Sequence, residues 1–300
     1  MDNKKILNYV GFSYAIFGAV GAGVQILFAR MIFRLFPEFY SNNAITISLL
    51  GVVLAIDILG FGIVSLLLRN VEKCELEMKK LSVSKFIQGI FITFGLVFAG
   101  AIIGSIVDGN FQNEGGNGIS KIVTESNFFL RVLVVGIGAP VFEELIFRKL
   151  LIDRLANCGK VLAVFASGLF FGLYHGNFAQ FFFAFFIGLF FAYIYVETGN
   201  IKYTIAYHMI INMTTSVITA SLINNADLND VMSPQTVRVA LWSMFLLLVG
   251  VIGFSIFFAN IRKFRINEQG KMKLICIFKS CGMWMFIAVC AFLFYHSYFM

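Results

Sequence analysis

Nine stretches of this chain run for about 15 to 25 residues with almost no charge, and the lysines, arginines and carboxylates are bunched between them. A helix crossing a hydrocarbon core of about 30 Å needs roughly 20 apolar residues at 1.5 Å each. The runs lie at approximately 8–29, 44–68, 86–107, 128–147, 161–175, 178–197, 201–222, 237–260 and 275–299, the fifth being short for a full crossing. They predict an all-α fold, a polytopic transmembrane helical bundle of about 8–9 spans. A soluble globule is excluded, because 59% hydrophobic residues, 37 phenylalanines and 13% charged residues leave too little polar surface to cover a water-facing body.

Orientation follows from charge. Lys4 and Lys5 precede the first run like the start of a signal peptide, but the run is long and no small-residue cleavage site follows, so an uncleaved anchor with a cytoplasmic N-terminus is expected. The loops then inside the cell carry seventeen lysines and arginines; those outside carry four, Arg30, Arg34, Lys121 and Arg238. That bias is the positive-inside pattern of a multi-pass cell-membrane protein. It accounts for the formal charge of +7, and since the cations are dispersed over five segments, no nucleic-acid partner is implied. The five cysteines include no Cys-x-x-Cys pair, and Cys74 and Cys158 fall on the reducing side, against structural disulfides. The polar stretches 69–85, 108–127 and 223–236 read as loops of one membrane domain. Within it 1–125 and 217–300 are helices without a motif, and 126–216 holds the polar residues that call for an explanation.

Ionisable groups inside a span are costly and point to function. His175 ends the fifth run and His208 lies within the seventh. The fourth run ends in Val141-Phe142-Glu143-Glu144-Leu145-Ile146-Phe147-Arg148. Glu144 and Arg148, four apart, share a helix face in the favourable order for an ion pair. Glu143 is turned about 100° from them and is available for another task. A carboxylate in low dielectric is a stronger base, suited to taking a proton from water. If the amphipathic stretch 149–157 continues the helix to a reversal near Cys158-Gly159, Glu143 lies about 15 residues before the turn and His175 about 16 after it, so the two are level within a few Å and a water can sit between them. His208 and Asn212 project from one face, with roughly 10 Å of offset from His175 for helix tilt to absorb. Two donors aimed at one point can stabilise an oxyanion.

Glu143-Glu144-x-x-x-Arg148, Phe171-x-x-x-His175 and His208-x-x-x-Asn212, in that order on successive membrane helices, resemble the CPBP family: type II CAAX prenyl endopeptidases and their bacteriocin-processing or immunity relatives. The likeness covers about 126–216, which it makes a CAAX protease-like core. It implies proteolysis within the membrane of a peptide or protein substrate, prenylated or bacteriocin-like. Glu143 and His175 would activate water, with His208 and Asn212 as oxyanion donors. Glu144 and Arg148 would maintain the helix. The alternative chemistry is metal-dependent, with Zn2+ held by Glu143, His175 and His208 and a water in the fourth position; against it, no His-x-x-x-His pair preorganises two ligands on one helix.

Other intramembrane proteases fit less well. The His-Glu-x-x-His helix of site-2 zinc proteases is absent. Ser167-Gly168 resembles a rhomboid serine, but Phe165 stands where a glycine belongs, and no Gly-x-Gly-Asp aspartyl signature occurs. Two rivals come from other classes: a non-catalytic bacteriocin-immunity-type membrane protein binding its partner through the same bundle, and a proton-coupled transporter with Asp57, the Glu pair and the two histidines as a relay. Transport predicts symmetry between halves, and none is visible. Each polar residue also has a structural reading: the histidines as interhelical hydrogen-bonding groups, Phe171 as packing for His175, Asp57 as half of a buried pair. His296, with Phe292, Tyr295, Tyr298 and Phe299, reads as an interfacial aromatic belt.

Overall fold

Each of the nine apolar runs is helical over most of its described length. In hydrocarbon no water can satisfy an exposed N–H or C=O, so a spanning segment must pair its backbone within itself. The computed structural model describes residues 2–53, 58–111, 122–224, 226, 230–266 and 272–299; Asp57 lies outside these. Among them no strand occurs, and the protein is an all-α, multi-pass helical bundle. Among the described residues six helices are long and apolar enough to cross a bilayer by themselves: α1 Asn3–Leu35, α4 Val83–Asp108, α7 Phe178–Thr198, α8 Ile201–Asn224, α9 Pro234–Lys263 and α10 Cys281–Phe299. The second run is represented by α2, Pro37–Val52, and α3, Leu59–Leu67. The fourth is α5, a continuous helix over 128–155, and the fifth is α6, Lys160–Tyr174.

The helices approach most closely where side chains are smallest, as expected where lipid supplies no hydrophobic drive between them. At the α1–α10 crossing a Cβ on Gly11 would lie 2.2 Å from the carbonyl carbon of Gly282; at α4–α9 one on Gly253 would lie 1.7 Å from the Phe91 oxygen.

Four of the basic segments are gathered at one end of the bundle. The Cys74 N–H donates to the Asp153 carbonyl, Lys79 N–H to Thr198 O and Met272 N–H to Cys158 O, while the Asn157 amide reaches Glu72 O. We call this the basic end. At the other end the aromatic belt is not uniform. His296 is exposed, but Tyr298 is buried, accepting the Phe178 N–H at 2.8 Å and donating to Asp108. It anchors α10 to α4 and the start of α7 rather than decorating the interface.

Two features of the framework position the polar residues. First, α6 has 15 residues, about 22 Å of helix, too short to traverse the core. His175 caps it, Gly176 (φ 67°) turns the chain, and the Asn177 side chain accepts the Gln180 N–H to start α7. The chain therefore reverses at the end of α6, with His175 at the reversal. Second, α5 carries Pro140 in its interior, where a proline has no N–H to donate. The helix answers with a wider π-helical stretch, Val132–Gly138, just before it, and a second, Leu145–Leu150, follows the glutamate pair. Such stretches commonly mark functional sites.

Candidate active site

The residues of the three sequence motifs divide into two layers. Glu144, Arg148 and Phe171 are fully or almost fully buried, as is His208 at 3% exposure. Glu143, His175 and Asn212 are partly exposed, the Glu143 side chain at 20%.

At the centre is His208 on α8. Its Nδ1 lies 2.9 Å from Glu144 Oε1 and its Nε2 3.5 Å from Glu143 Oε2. An ionised carboxylate only accepts, so the Nδ1 hydrogen belongs to the contact with Glu144. The tautomer is thereby set by an outer partner, as in carboxylate-oriented histidines generally. Nε2 then faces Glu143 with its lone pair, 3.5 Å from Oε2, close enough to receive a proton that Glu143 takes up. Glu144 is held in turn by Arg148, whose Nε is 3.2 Å from Oε2. The approach is off the N–H axis, so it is a charge contact rather than a hydrogen bond, and the guanidinium is braced by lying over the Phe171 ring, 4.4 Å from its centroid.

Sequence spacing pairs Glu143 with His175 and gives Glu144 only to Arg148. The carboxylate-to-imidazole contacts in the structure run from both glutamates to His208. The His175 Nδ1 is instead 2.8 Å from the Phe171 carbonyl. If Nδ1 carries the hydrogen, Nε2 is the acceptor nitrogen, open to a hydrogen of water or substrate. The offset between the two histidines is absorbed by packing on one residue. The Phe171 ring meets His175 edge-on at 4.9 Å and His208 edge-on at 5.7 Å. Phe171 is therefore more than wall, since it touches both imidazoles and the Arg148 cation.

Asn212 has a partner that α5 itself creates. In the π-helical register Ala139 N–H reaches Val134 O, so the next carbonyl, Val135 O, would take its hydrogen from residue 140, which is proline. The Asn212 Nδ2 donates to that oxygen at 2.9 Å. One amide hydrogen thus locks α8 to α5, and the second remains on the same nitrogen for another acceptor. The two helices come close enough because residue 136 is glycine, where a Cβ would stand 2.3 Å from the Met213 sulfur.

Tyr14 and Ser167 take part as well, though nothing local in the sequence indicates it. The Tyr14 hydroxyl, fully buried on α1, donates to Ile146 O at 2.5 Å, and Ser167 Oγ donates to Phe147 O at 2.7 Å. Both carbonyls lie in the second π-helical stretch, so α1 and α6 clamp the turn that carries Arg148. Ser167 is completely buried by this role and faces no solvent. Tyr14→Phe leaves a buried carbonyl without its donor and should destabilise by about 1–3 kcal/mol, read by thermal unfolding in detergent.

Zinc would need three converging donors or more. Among the described residues no three His, Cys, Asp or Glu side chains are grouped to hold a metal ion, and His208 Nδ1 is already engaged with Glu144. Among the described residues Glu143, His175 and His208 are not grouped as a ligand set.

Residues 125–214 match the type II CAAX prenyl endopeptidase Rce1-like family. A membrane-embedded CAAX protease, MroQ, of Staphylococcus aureus is 29% identical over 162 residues, an overlap of 50% of this chain and 64% of the staphylococcal protein. No solved structure matches. The matched segment runs from α5 to α8 and contains Glu143, Glu144, Arg148, Phe171, His175, His208 and Asn212 together, so the similarity to the Rce1-like family falls on the part of the chain that holds the site.

Proposed function

We propose that the protein is an intramembrane endopeptidase that hydrolyses a peptide bond of a membrane-associated protein or peptide. The observation that carries this reading is the contiguous chain Arg148, Glu144, His208, Glu143, which runs from a fully buried cation to a carboxylate with one face accessible. A purely structural ion pair would not need an imidazole between two carboxylates.

Each residue then has a task. Glu143 is the general base and takes a proton from water; His175 Nε2 accepts the other hydrogen of that water and orients it. The proton passes from Glu143 to His208 Nε2, and the imidazolium so formed is stabilised by Glu144 through Nδ1, the logic of a base oriented by a buried carboxylate. The second amide hydrogen of Asn212 stabilises the developing oxyanion, joined by His208 while it is protonated. Returning the proton to the leaving amine completes the hydrolysis. Arg148 keeps Glu144 ionised, and Phe171 spaces the two imidazoles.

The same reading places the basic end in the cytoplasm and the protein in the cell membrane, following the lysine and arginine bias. A single reporter cysteine at 75 should then react only from inside the cell and those at 115 and 228 only from outside; equal labelling of 75 and 115 from one side sinks the orientation. The activity is tested by release of the C-terminal fragment from a bilayer-anchored peptide, prenylated and unprenylated, in proteoliposomes. Loss of release on chelation, with metal bound to the purified chain, would transfer the chemistry to zinc on Glu143, His175 and His208. Absence of release from every peptide, with partner protection intact in cells, favours the non-catalytic immunity reading.

A further inference from the structure

At the basic end α4, α7 and α9 diverge around a cavity of about 320 Å3, in the size range of small-ligand sites. None of Glu143, His175, His208 and Asn212 lines it. Its walls are polarised. Lys79, Lys80, Lys85 and Lys263 form the rim, with Glu197 the one carboxylate lining it among the described residues; Gly89, Ile92, Phe190 and Ile194 lie deeper. On α4, Lys85 and Ile92 are seven residues apart, about 10 Å of helix, and on α7 so are Glu197 and Phe190. Two helices of opposite direction thus place charge at one level and apolar surface at the same greater depth.

The rim is built to stay cationic. Lys79 is paired with Glu77 at 2.9 Å, but Lys263 Nζ is held by the neutral Asn260 Oδ1 at 2.7 Å and keeps its charge for another group. Phe264, against Phe257 and edge-on to Tyr193, fixes the wall that carries it.

A small free anion would satisfy the lysines and leave the apolar depth unused. A zwitterionic lipid would fill the depth and leave like charges facing one another. An amphiphile with an anionic phosphate head meets both demands. We propose that this cavity binds one anionic phospholipid, with its phosphate among Lys80, Lys85 and Lys263 and its acyl chains entering along Ile92 and Phe190. Basic pockets between membrane helices take lipid head groups by this chemistry.

The test counts lipids retained by the purified full-length chain in native mass spectrometry, offered phosphatidylglycerol or phosphatidylcholine with identical acyl chains, or inorganic phosphate. One phosphatidylglycerol per chain should be retained at least about tenfold in preference to phosphatidylcholine. Lys85→Gln with Lys263→Gln should weaken that preference by roughly fivefold for each lysine. Arg30→Gln with Arg34→Gln, two exposed cations on α1 outside the cavity, is the charge-matched control and should leave it unchanged. Equal retention of the two lipids overturns the proposal. So does an undiminished preference in the folded Lys85/Lys263 variant, an equal loss in the Arg30/Arg34 control, or displacement of the lipid by millimolar phosphate or by substrate peptide. The readout is binding, so its outcome is independent of whether the chain cleaves peptides.

Discussion

Replacing Glu143 by glutamine should lower peptide release by about 10²–10⁴-fold, the contribution of a positioned general base, while the helical content and thermal midpoint of the purified protein stay close to those of the wild type. Glutamine keeps the size and hydrogen-bonding reach of the side chain but cannot hold a transferred proton. The substitution is also gentle on the fold, since the Glu143 side chain is 20% exposed and its contact with His208 Nε2 is long, at 3.5 Å. The comparison is made on initial rates in proteoliposomes at matched protein content. Under the zinc alternative the same variant loses bound metal and chelation of the wild type reproduces its rate; under water activation by Glu143 and His175 neither follows. Full biological activity of Glu143→Gln, for instance complete bacteriocin protection in cells, would end the peptidase reading and put partner binding in its place.

Arg148→Ala should act in the opposite way, on stability first. It leaves the Glu144 carboxylate at 0% exposure without its cation, and breaking a buried ion pair from one side costs about 3–5 kcal/mol. The cation over Phe171 is lost too, loosening the ring that separates His175 from His208. Lower expression and an early thermal transition in detergent are the expected readings. Adding Glu144→Gln to Arg148→Ala should recover part of the lost stability, because no uncompensated charge is left buried. It should not recover activity, because His208 then lacks the carboxylate that stabilises its imidazolium. A double variant no more stable than Arg148→Ala would mean that Arg148 stabilises mainly by packing and not by charge.

Much of the fold was legible because the bilayer imposes a one-dimensional rule. A run of about 20 apolar residues must pair its backbone internally, so Val83–Asp108, Phe178–Thr198 and Cys281–Phe299 could be read without knowing their neighbours. The clustering of polar residues was legible for a similar reason: Glu144 with Arg148, and His208 with Asn212, share helix faces by the 3.6-residue period alone. The turn at Gly176 was implicit in a fifth run too short to cross.

Pairing between helices was not legible, because it depends on rotation and tilt that no local period sets. That both glutamates meet His208 turns on a few Å of relative slide between α5 and α8. The tertiary structure decides it with Gly136 against Met213, with Asn212 on the carbonyl that Pro140 leaves without a donor, and with π-helical turns that rotate Glu144 toward α8. Tyr14 lies 132 residues from Ile146, a separation at which no spacing rule operates. By itself the sequence determined which residues are in the membrane, which share a face and which chemistry they can perform, since those follow from hydropathy, helical period and side-chain functional groups. Only the tertiary structure decided which imidazole joins the two carboxylates and which side chains hold α5 in place, since those contacts are made across helices by close packing and by backbone groups that a proline leaves unpaired.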